Sequence, residues 1–146
     1  MGTDKGRTNC LGFIVCGWFL IGAALVLFAA CSSTPAEIPN DLGAPELIQR
    51  AQEASDRNRY KVSLVYYETV LERFPDDMEY VCAAEYEIAF INYKHKNYEA
   101  AREGFNSLLA RYDGQDSELL PQQFRILSNM ILDKIGEIEN RRKPAS

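Results

Sequence analysis

Residues 57–77, RNRYKVSLVYYETVLERFPDD, and residues 94–114, KHKNYEAAREGFNSLLARYDG, carry the same order of side chains at a constant spacing of 38 residues. Two unrelated amphipathic helices would share their apolar positions but not the whole order of aromatic, small, aromatic and aliphatic residues. The chain therefore contains an internal repeat. The matched positions are Tyr60 with Tyr98, Ser63 with Ala101, Tyr67 with Phe105, Val70-Leu71 with Leu108-Leu109, Arg73 with Arg111 and Phe74 with Tyr112.

A further helix is predicted before each repeated stretch, over residues 45–57 and 77–93. In the second of these, Ala84, Ile88 and Ile91 recur at helical spacing. Each unit is then a helix, a short turn and a second helix. Repeats with periods of 20 to 50 residues stack on one another, because no single unit buries its apolar face alone.

The last segment, residues 118–142, is predicted to form one long amphipathic helix. Pro121 suits its first turn, where a missing N–H group costs little, and the charged end ENRRK suits a surface that faces water. The sequence thus predicts an all-α fold of five helices, two hairpins plus a long C-terminal capping helix. The apolar positions of the last helix are Leu120, Phe124, Leu127, Ile131, Ile135 and Ile138.

The repeat resembles the tetratricopeptide repeat family. Ala51 and Ala89 stand where the family has small residues between paired helices, and Tyr60 and Tyr98 open the second helix of each pair. Pro75 closes the first repeat as that family expects. The usual unit has about 34 residues, so the spacing of 38 implies about four extra residues in the first helix or turn of repeat two.

The second repeat departs from the family pattern at three places. Asp113-Gly114 replaces the closing proline, and Glu85 and Asn92 fall where the family has larger apolar side chains. The resemblance covers residues 45–114. In that family the first helix of each pair lines a concave surface that receives peptides.

The N-terminal region has the layout of a secretory signal. Lys5 and Arg7 precede residues 11–30, LGFIVCGWFLIGAALVLFAA, which carry no charge. A membrane-spanning helix needs about 20 apolar residues, so the segment could instead remain as a single-span anchor in the inner membrane. Its length alone does not separate these two interpretations.

Cys31 favours the first interpretation, because Ala29 and Ala30 precede it and Leu27-Phe28 come before them. This stretch resembles the lipobox of bacterial lipoprotein precursors, with Phe28 where leucine is usual. The resemblance implies a signal peptide over residues 1–30 and an N-terminal Cys31 that carries diacylglyceryl and N-acyl chains, hence a lipidated, palmitate-type membrane anchor. Several acyl chains hold a protein at a bilayer better than one. Ser32 provides no aspartate retention signal, which favours the outer membrane.

Residues 31–45 are predicted to be the lipidated cysteine and an extended tether, and residues 46–146 the helical domain. The mature chain would have 14 Lys and Arg against 20 Asp and Glu. This acidic balance makes nucleic acid an unsuitable partner, since phosphate binding needs a clustered positive face. With Cys10 and Cys16 in the leader and Cys31 modified, Cys82 is the free thiol left, and we expect it to be a small buried residue.

No pattern for catalysis, a cofactor or a metal ion is present. His95 is the single histidine and lies in a predicted turn, where a solvated side chain is expected rather than a catalytic base. Asp76-Asp77 suggest a helix cap, and Glu85 with Glu87 suggest a solvated helix face. The sequence has no glycine-rich phosphate loop, GxSxG or HExxH motif. We therefore expect no enzyme activity.

A second apolar face on the third helix indicates a binding surface. Tyr86, Phe90 and Tyr93 are spaced four and three residues apart, away from the stripe that contains Ala84 and Ile88. The family resemblance places a partner-binding groove near Tyr86, Phe90, Tyr93 and Lys94. The alternative is that the last helix folds back and fills this concavity with Phe124 and Leu127.

The predicted function is a lipid-anchored periplasmic scaffold or adaptor that binds a protein partner in an envelope complex. In general layout the chain resembles the lipoprotein subunit of the outer-membrane β-barrel assembly machinery and related envelope adaptors. The competing prediction is a binder of a small apolar ligand that accompanies a transport system. A third is self-association into a homo-oligomer through an exposed repeat edge.

Overall fold

Five α-helices carry the fold in the computed structural model, which describes residues 38–114 and 117–142. No strand occurs within these residues. The predicted all-α architecture of two hairpins and a long final helix is confirmed. The helices are α1 Ala44–Asp56, α2 Tyr60–Arg73, α3 Met78–Lys94, α4 Tyr98–Ala110 and α5 Gln122–Arg142.

The two hairpins, α1 with α2 and α3 with α4, have the same turn. Tyr60 and Tyr98 are the first residues of α2 and α4, as predicted. Asn58 and Lys96, 38 positions apart in the sequence, both adopt left-handed backbone conformations, with φ angles of 56° and 62°. Asparagine tolerates this region better than lysine, so the repeat keeps the turn geometry even where the residue is less suitable.

The extra residues of the second repeat lie in its first helix. α3 has 17 residues and α1 has 13, so the difference is four. Both second helices start at the matched tyrosine, so the added residues extend the N-terminal end of α3 by about one turn. The prediction of a longer first helix or turn in repeat two is confirmed.

Paired helices approach each other at small residues, as the family resemblance implies. Ala51 and Ala89 are almost completely buried. Gly104 of α4 lies opposite Ala89, and a Cβ atom placed at Gly104 would lie 2.9 Å from the Cβ of Ala89. Real Cβ contacts are longer than this, so the spacing of α3 and α4 depends on the absence of a side chain at Gly104.

The matched aromatic residues form the centres of two adjoining cores. Tyr67 of the first hairpin and Phe105 of the second are both fully buried. The core around Phe105 also takes in Ile131 and Ile135 of α5, so the last helix covers the open face of the second hairpin. This is the expected role of a capping helix in a repeat stack.

The start of the last helix differs from the prediction. Residues Ser117–Leu119 form a separate 3₁₀ turn, and α5 begins at Gln122, directly after Pro121. Pro121 therefore precedes the helix, and its carbonyl accepts a hydrogen bond from the Tyr112 hydroxyl at 2.8 Å. Proline has no backbone N–H group to donate to a helical hydrogen bond, so it is suited to a helix boundary.

Residues 38–45, predicted as the end of the tether, are held against the domain. Leu42 is buried in the first core and Ala44 already begins α1. The guanidinium of Arg73 donates hydrogen bonds to the carbonyls of Pro39 at 2.8 Å and Ile38 at 3.1 Å. The predicted boundary is therefore too late in the chain, because apolar burial and this clamp fix the chain from Ile38 onward.

Candidate partner-binding surface

Aromatic side chains form a continuous row along α3, the helix that carries the predicted groove residues. The ring centroids of Tyr86 and Phe90 lie 5.8 Å apart with nearly parallel planes, and those of Phe90 and Tyr93 are also 5.8 Å apart. Tyr93 continues to Tyr98 of α4 at 6.0 Å. Such offset pairs are favourable beyond the area that they bury. The structure thus brings three of the four predicted residues into one row.

One end of this row is closed. Tyr86 is 7% exposed, and its ring lies 5.6 Å from both Phe105 and Phe124. Phe124 belongs to α5, which therefore folds back onto this end of the concavity. The predicted role of Leu127 as a second plug is wrong, because Leu127 is 38% exposed.

The open end of the row consists of half-buried rings beside an exposed cation. Phe90 and Tyr93 are partly buried and packed against the second core. Lys94 is exposed at the C-terminal end of α3. Since Tyr86 belongs to the core, Phe90, Tyr93 and Lys94 are the predicted residues that a partner could contact.

Lys94 also joins the two hairpins. Its ammonium donates to the Ser55 hydroxyl at 3.3 Å, and it lies 4.8 Å from the Tyr60 ring centroid and 5.3 Å from that of Phe90. Cation–π contacts of this kind contribute about 0.5–1 kcal/mol at exposed sites. A lysine at a helix C-terminus is also favoured by the helix dipole.

His95 lies in the turn after α3 and is exposed, as expected. Its ring packs edge-on against Tyr60, with the centroids 4.7 Å apart. The contact joins the turn of the second hairpin to the start of α2 in the first. His95 therefore has a packing role between the hairpins.

Glu87 is the most unusual charged group near this surface. Burial raises the pKa of its carboxyl, and Asp56 raises it further, whereas the nearby Lys94 ammonium lowers it. Among the described residues Glu87 forms neither an ion pair nor a hydrogen bond. The prediction that Glu85 and Glu87 form a solvated face is wrong. Glu87 lies near Asp56 and Tyr67 of the first hairpin, and Glu85 is paired with Arg111.

The charge of Glu87 also affects the pKa of Tyr67, which is buried between the hairpins. Burial raises the pKa of its hydroxyl, and Glu87 raises it further. Its hydroxyl and that of Ser63, one helical turn away, are buried without a geometrically adequate hydrogen-bond partner. Ser63 stands close enough to lower the pKa of Tyr67, but burial outweighs this effect.

Glu85, one of the two departures from the family pattern in α3, forms an ion pair. It accepts two hydrogen bonds from Arg111, from Nε at 2.8 Å and from an Nη at 2.7 Å. This hydrogen-bonded pairing raises the pKa of Arg111. A polar side chain is therefore accepted at this position because the repeat supplies a fork-shaped partner at the end of α4.

Asp77 and Cys82 can be compared directly with the sequence predictions. Asp77 occupies the N-cap position of α3 but its side chain forms no capping hydrogen bond, so its position is as predicted and its chemistry is not. Cys82 is a buried free thiol, as predicted, and burial raises its pKa. A thiol of this kind is poorly reactive.

Several residues at the surface had no signal in the α3 pattern. Tyr60, Tyr98 and Phe124 come from three other helices, and only the packing of those helices brings their rings to the row. The repeat alignment places Tyr60 and Tyr98 at equivalent positions. The spacing of apolar residues in the last helix predicts Phe124 as a residue that fills the concavity.

Cys31, the predicted lipidation site, lies outside the described residues, as do the leader and residues 32–37. Within the described part, none of the helices has the length and apolar character needed to cross a bilayer. Residues 38–114 and 117–142 also contain no cluster of three metal-ligating side chains.

Comparison with known proteins finds sequence similarity over most of this chain. An uncharacterized protein of Treponema pallidum (strain Nichols) is 34% identical over 108 residues. The match covers 73% of this chain but 43% of the relative, so the chain spans less than half of that protein's length. No family model matches the chain, and no solved structure matches it.

Proposed function

We propose that this protein is a lipid-anchored adaptor that holds a protein partner at the periplasmic side of the outer membrane. The anchor would be Cys31, and the helical domain would present a binding surface to the aqueous space. The mechanism is positional. Tethering raises the local concentration of the domain near its partners, so that a modest contact is sufficient.

The observation that carries the binding role is the open end of the aromatic row. Phe90 and Tyr93 remain partly exposed although the row is stacked and braced by core residues. Aromatic side chains such as these are among the residue types enriched in protein interfaces. The resemblance of the hairpins to tetratricopeptide repeats supports the same surface.

The anchor rests on the lipobox-like sequence around Cys31. The relative in Treponema pallidum is bacterial, and a bacterial cell is the setting in which such a signal is processed. The broader likeness to the lipoprotein of the β-barrel assembly machinery remains one of layout and suggests an envelope complex as the setting.

The small-ligand alternative has less support. An apolar molecule would need an enclosed cavity at the Tyr86 end of the row, where Phe105 and Phe124 already contact the ring. An extended segment of a protein, by contrast, needs only the accessible edges of Phe90 and Tyr93.

Site-specific photocrosslinking tests the adaptor role. The lipidated chain is produced in cells with benzoylphenylalanine at Phe90, at Tyr93 or, as a control, at the exposed Glu68 of α2. We expect one adduct of the same mass from the first two positions and none from Glu68. Equal adducts at all three positions, or none at Phe90 and Tyr93, would contradict the proposal.

A further inference from the structure

Basic side chains predominate at one edge of the domain and acidic side chains at the opposite edge. One edge, here called the basic edge, consists of residues 56–61, residues 94–99 and the last two residues of α5. It carries seven basic residues and two acidic ones. The basic residues are Arg57, Arg59, Lys61, Lys94, Lys96, Arg141 and Arg142, and the acidic ones are Asp56 and Glu99.

Contacts between these segments make the basic edge one surface. Tyr60 meets His95 at 4.7 Å between ring centroids, which joins the two hairpin turns. The guanidinium of Arg142, at the end of α5, lies 5.3 Å from the Tyr98 ring centroid. The three positive segments, separated in sequence, are therefore adjacent in the fold.

The opposite edge, here called the acidic edge, has the reverse balance. It consists of residues 72–79, residues 111–114 and residues 117–119, together with Asp41. This edge carries seven acidic residues and two arginines. The acidic residues are Asp41, Glu72, Asp76, Asp77, Glu79, Asp113 and Glu118, and the arginines are Arg73 and Arg111.

The two edges act as separate electrostatic surfaces. α2 runs from one edge to the other, and its 14 residues span about 21 Å at 1.5 Å per residue. The screening length at physiological ionic strength is about 8 Å. An approaching molecule therefore responds to the edge that it meets, although the whole chain has a net charge of −5.

Two lysines of the basic edge are available to a partner. Lys61 and Lys96 are exposed and form no ion pair within the described residues. On the acidic edge, by contrast, Arg73 is bound to backbone carbonyls and Arg111 to Glu85.

The chain enters the domain at the acidic edge. Arg73, the last residue of α2, binds the carbonyls of Ile38 and Pro39 there. The basic edge is the end of the domain farther from Ile38 and Pro39, and the open aromatic residues Phe90 and Tyr93 lie beside it.

We propose that the basic edge binds an acidic segment of the partner protein, with one apolar side chain of that segment placed against Phe90 and Tyr93. This inference rests on the proposed adaptor function and specifies the chemistry of its partner. Complementary charge of this kind accelerates encounter and fixes orientation, and its contribution falls with added salt.

A labelled acidic peptide tests the inference directly. The probe is a fluorescein-tagged twelve-residue peptide of nine glutamates and three leucines, and it is titrated with the full chain in a nonionic detergent. Binding is measured by fluorescence anisotropy at low and at physiological salt. The test variant is Lys61→Gln/Lys96→Asn, since asparagine at position 96 keeps the left-handed turn found at Asn58.

The matched control is Arg125→Gln/Lys134→Gln, which removes two exposed cations of α5 away from the basic edge. We expect the test variant to weaken peptide binding about fivefold to tenfold at low salt, which corresponds to about 1–1.4 kcal/mol for the two exposed charge contacts together. The control should change binding less than about twofold, within the lower range of such contacts.

Several results would overturn the inference. Equal weakening by both variants would mean that general charge attracts the peptide. Binding to phosphatidylglycerol vesicles without binding to the peptide would assign the edge to a membrane surface. A dimer in light scattering that Lys61→Gln/Lys96→Asn abolishes would assign it to a second copy of this chain.

The adaptor role is separated by a further combination. If the crosslinked adduct at Phe90 forms in cells and is unchanged in the Lys61→Gln/Lys96→Asn background, the adaptor function stands and the acidic-partner inference fails. If no adduct forms at Phe90 although the peptide binds the basic edge, the proposed function itself fails.

Discussion

Replacing Gly104 with alanine should destabilise the domain although alanine is the better helix former. Gly104 lies inside α4, where a glycine ordinarily costs about 1 kcal/mol relative to alanine. Here the new Cβ would stand 2.9 Å from the Cβ of Ala89 and 3.5 Å from its Cα. The gain in helix propensity is therefore opposed by a clash between two paired helices.

The geometry sets the size of this effect. To restore ordinary contact, α3 and α4 would have to move apart by about 0.5 Å or more. The core between them is packed to near-crystalline density. Overpacking of this kind costs about 1–3 kcal/mol. With the propensity gain of about 1 kcal/mol subtracted, we expect Gly104→Ala to lower the free energy of unfolding by about 1 kcal/mol.

Gly136 provides the matched control. It lies within α5, and a Cβ placed there meets nothing within 4 Å. Gly136→Ala should therefore raise the free energy of unfolding by about 0.5–1 kcal/mol. Urea unfolding followed by helical circular dichroism measures both variants in the same protein.

A double variant isolates the contact. Ala89→Gly removes the opposing methyl group, so Gly104→Ala in that background should recover its helix-propensity gain. We expect a coupling energy of about 1–2 kcal/mol between the two positions, within the range found for residues in contact. The reasoning is refuted if Gly104→Ala stabilises the protein as much as Gly136→Ala does, with no coupling to Ala89.

Three other changes test the packing and the electrostatics. Phe105→Ala should lower the free energy of unfolding by about 3–5 kcal/mol, because the ring is fully buried, and urea unfolding should show this; a loss below about 1 kcal/mol would contradict the core assignment. Glu87→Gln should stabilise the protein at pH 7. The folded-state pKa of Glu87 is raised, so the contribution of this carboxyl to stability is complete below the ordinary pKa of 4.5 and is lost as the pH rises through the folded-state pKa. In thermal unfolding, the difference in melting temperature between variant and parent should therefore widen from acid to neutral pH. A constant difference would contradict this. Arg111→Ala should cost about 1 kcal/mol through its bidentate contact with Glu85, measured by urea unfolding, and a double cycle with Glu85→Gln should show coupling; strictly additive effects would exclude the pair as a stabilising contact.

The helical architecture was accessible from the sequence because the repeat carries it twice. The spacing of 38 residues identified the start of α2 and α4 at the matched tyrosines, and the difference from the family period located extra residues near the start of repeat two. Local periodicity and internal symmetry therefore agree, and such agreement between levels specifies a fold.

The electrostatic surroundings of α3 could not be obtained in the same way. Helical spacing predicts that Glu85 and Glu87 are both exposed. In the structure, Glu85 accepts hydrogen bonds from Arg111 at the end of α4, and Glu87 lies near Asp56 of the first hairpin. Their surroundings depend on how the helices pack across the chain, which a single helix pattern does not contain.

The candidate surface was predicted in part. Spacing identified Tyr86, Phe90 and Tyr93 as one face, and the structure stacks them. Which end of the aromatic row is buried depends on the position of α5, for which the sequence predicted both Phe124 and Leu127 as plugs. The break at Pro121 sets the starting point of α5, and Phe124 then reaches Tyr86 while Leu127 faces solvent.

The most direct test of a lipid-anchored adaptor is the mass of the mature protein. The chain is extracted from membranes with detergent and compared with a Cys31→Ala variant by intact mass spectrometry. The account predicts an N-terminus at Cys31 with the added mass of diacylglyceryl and N-acyl chains, and loss of this form in the variant. An unmodified chain that retains residues 1–30 would contradict it.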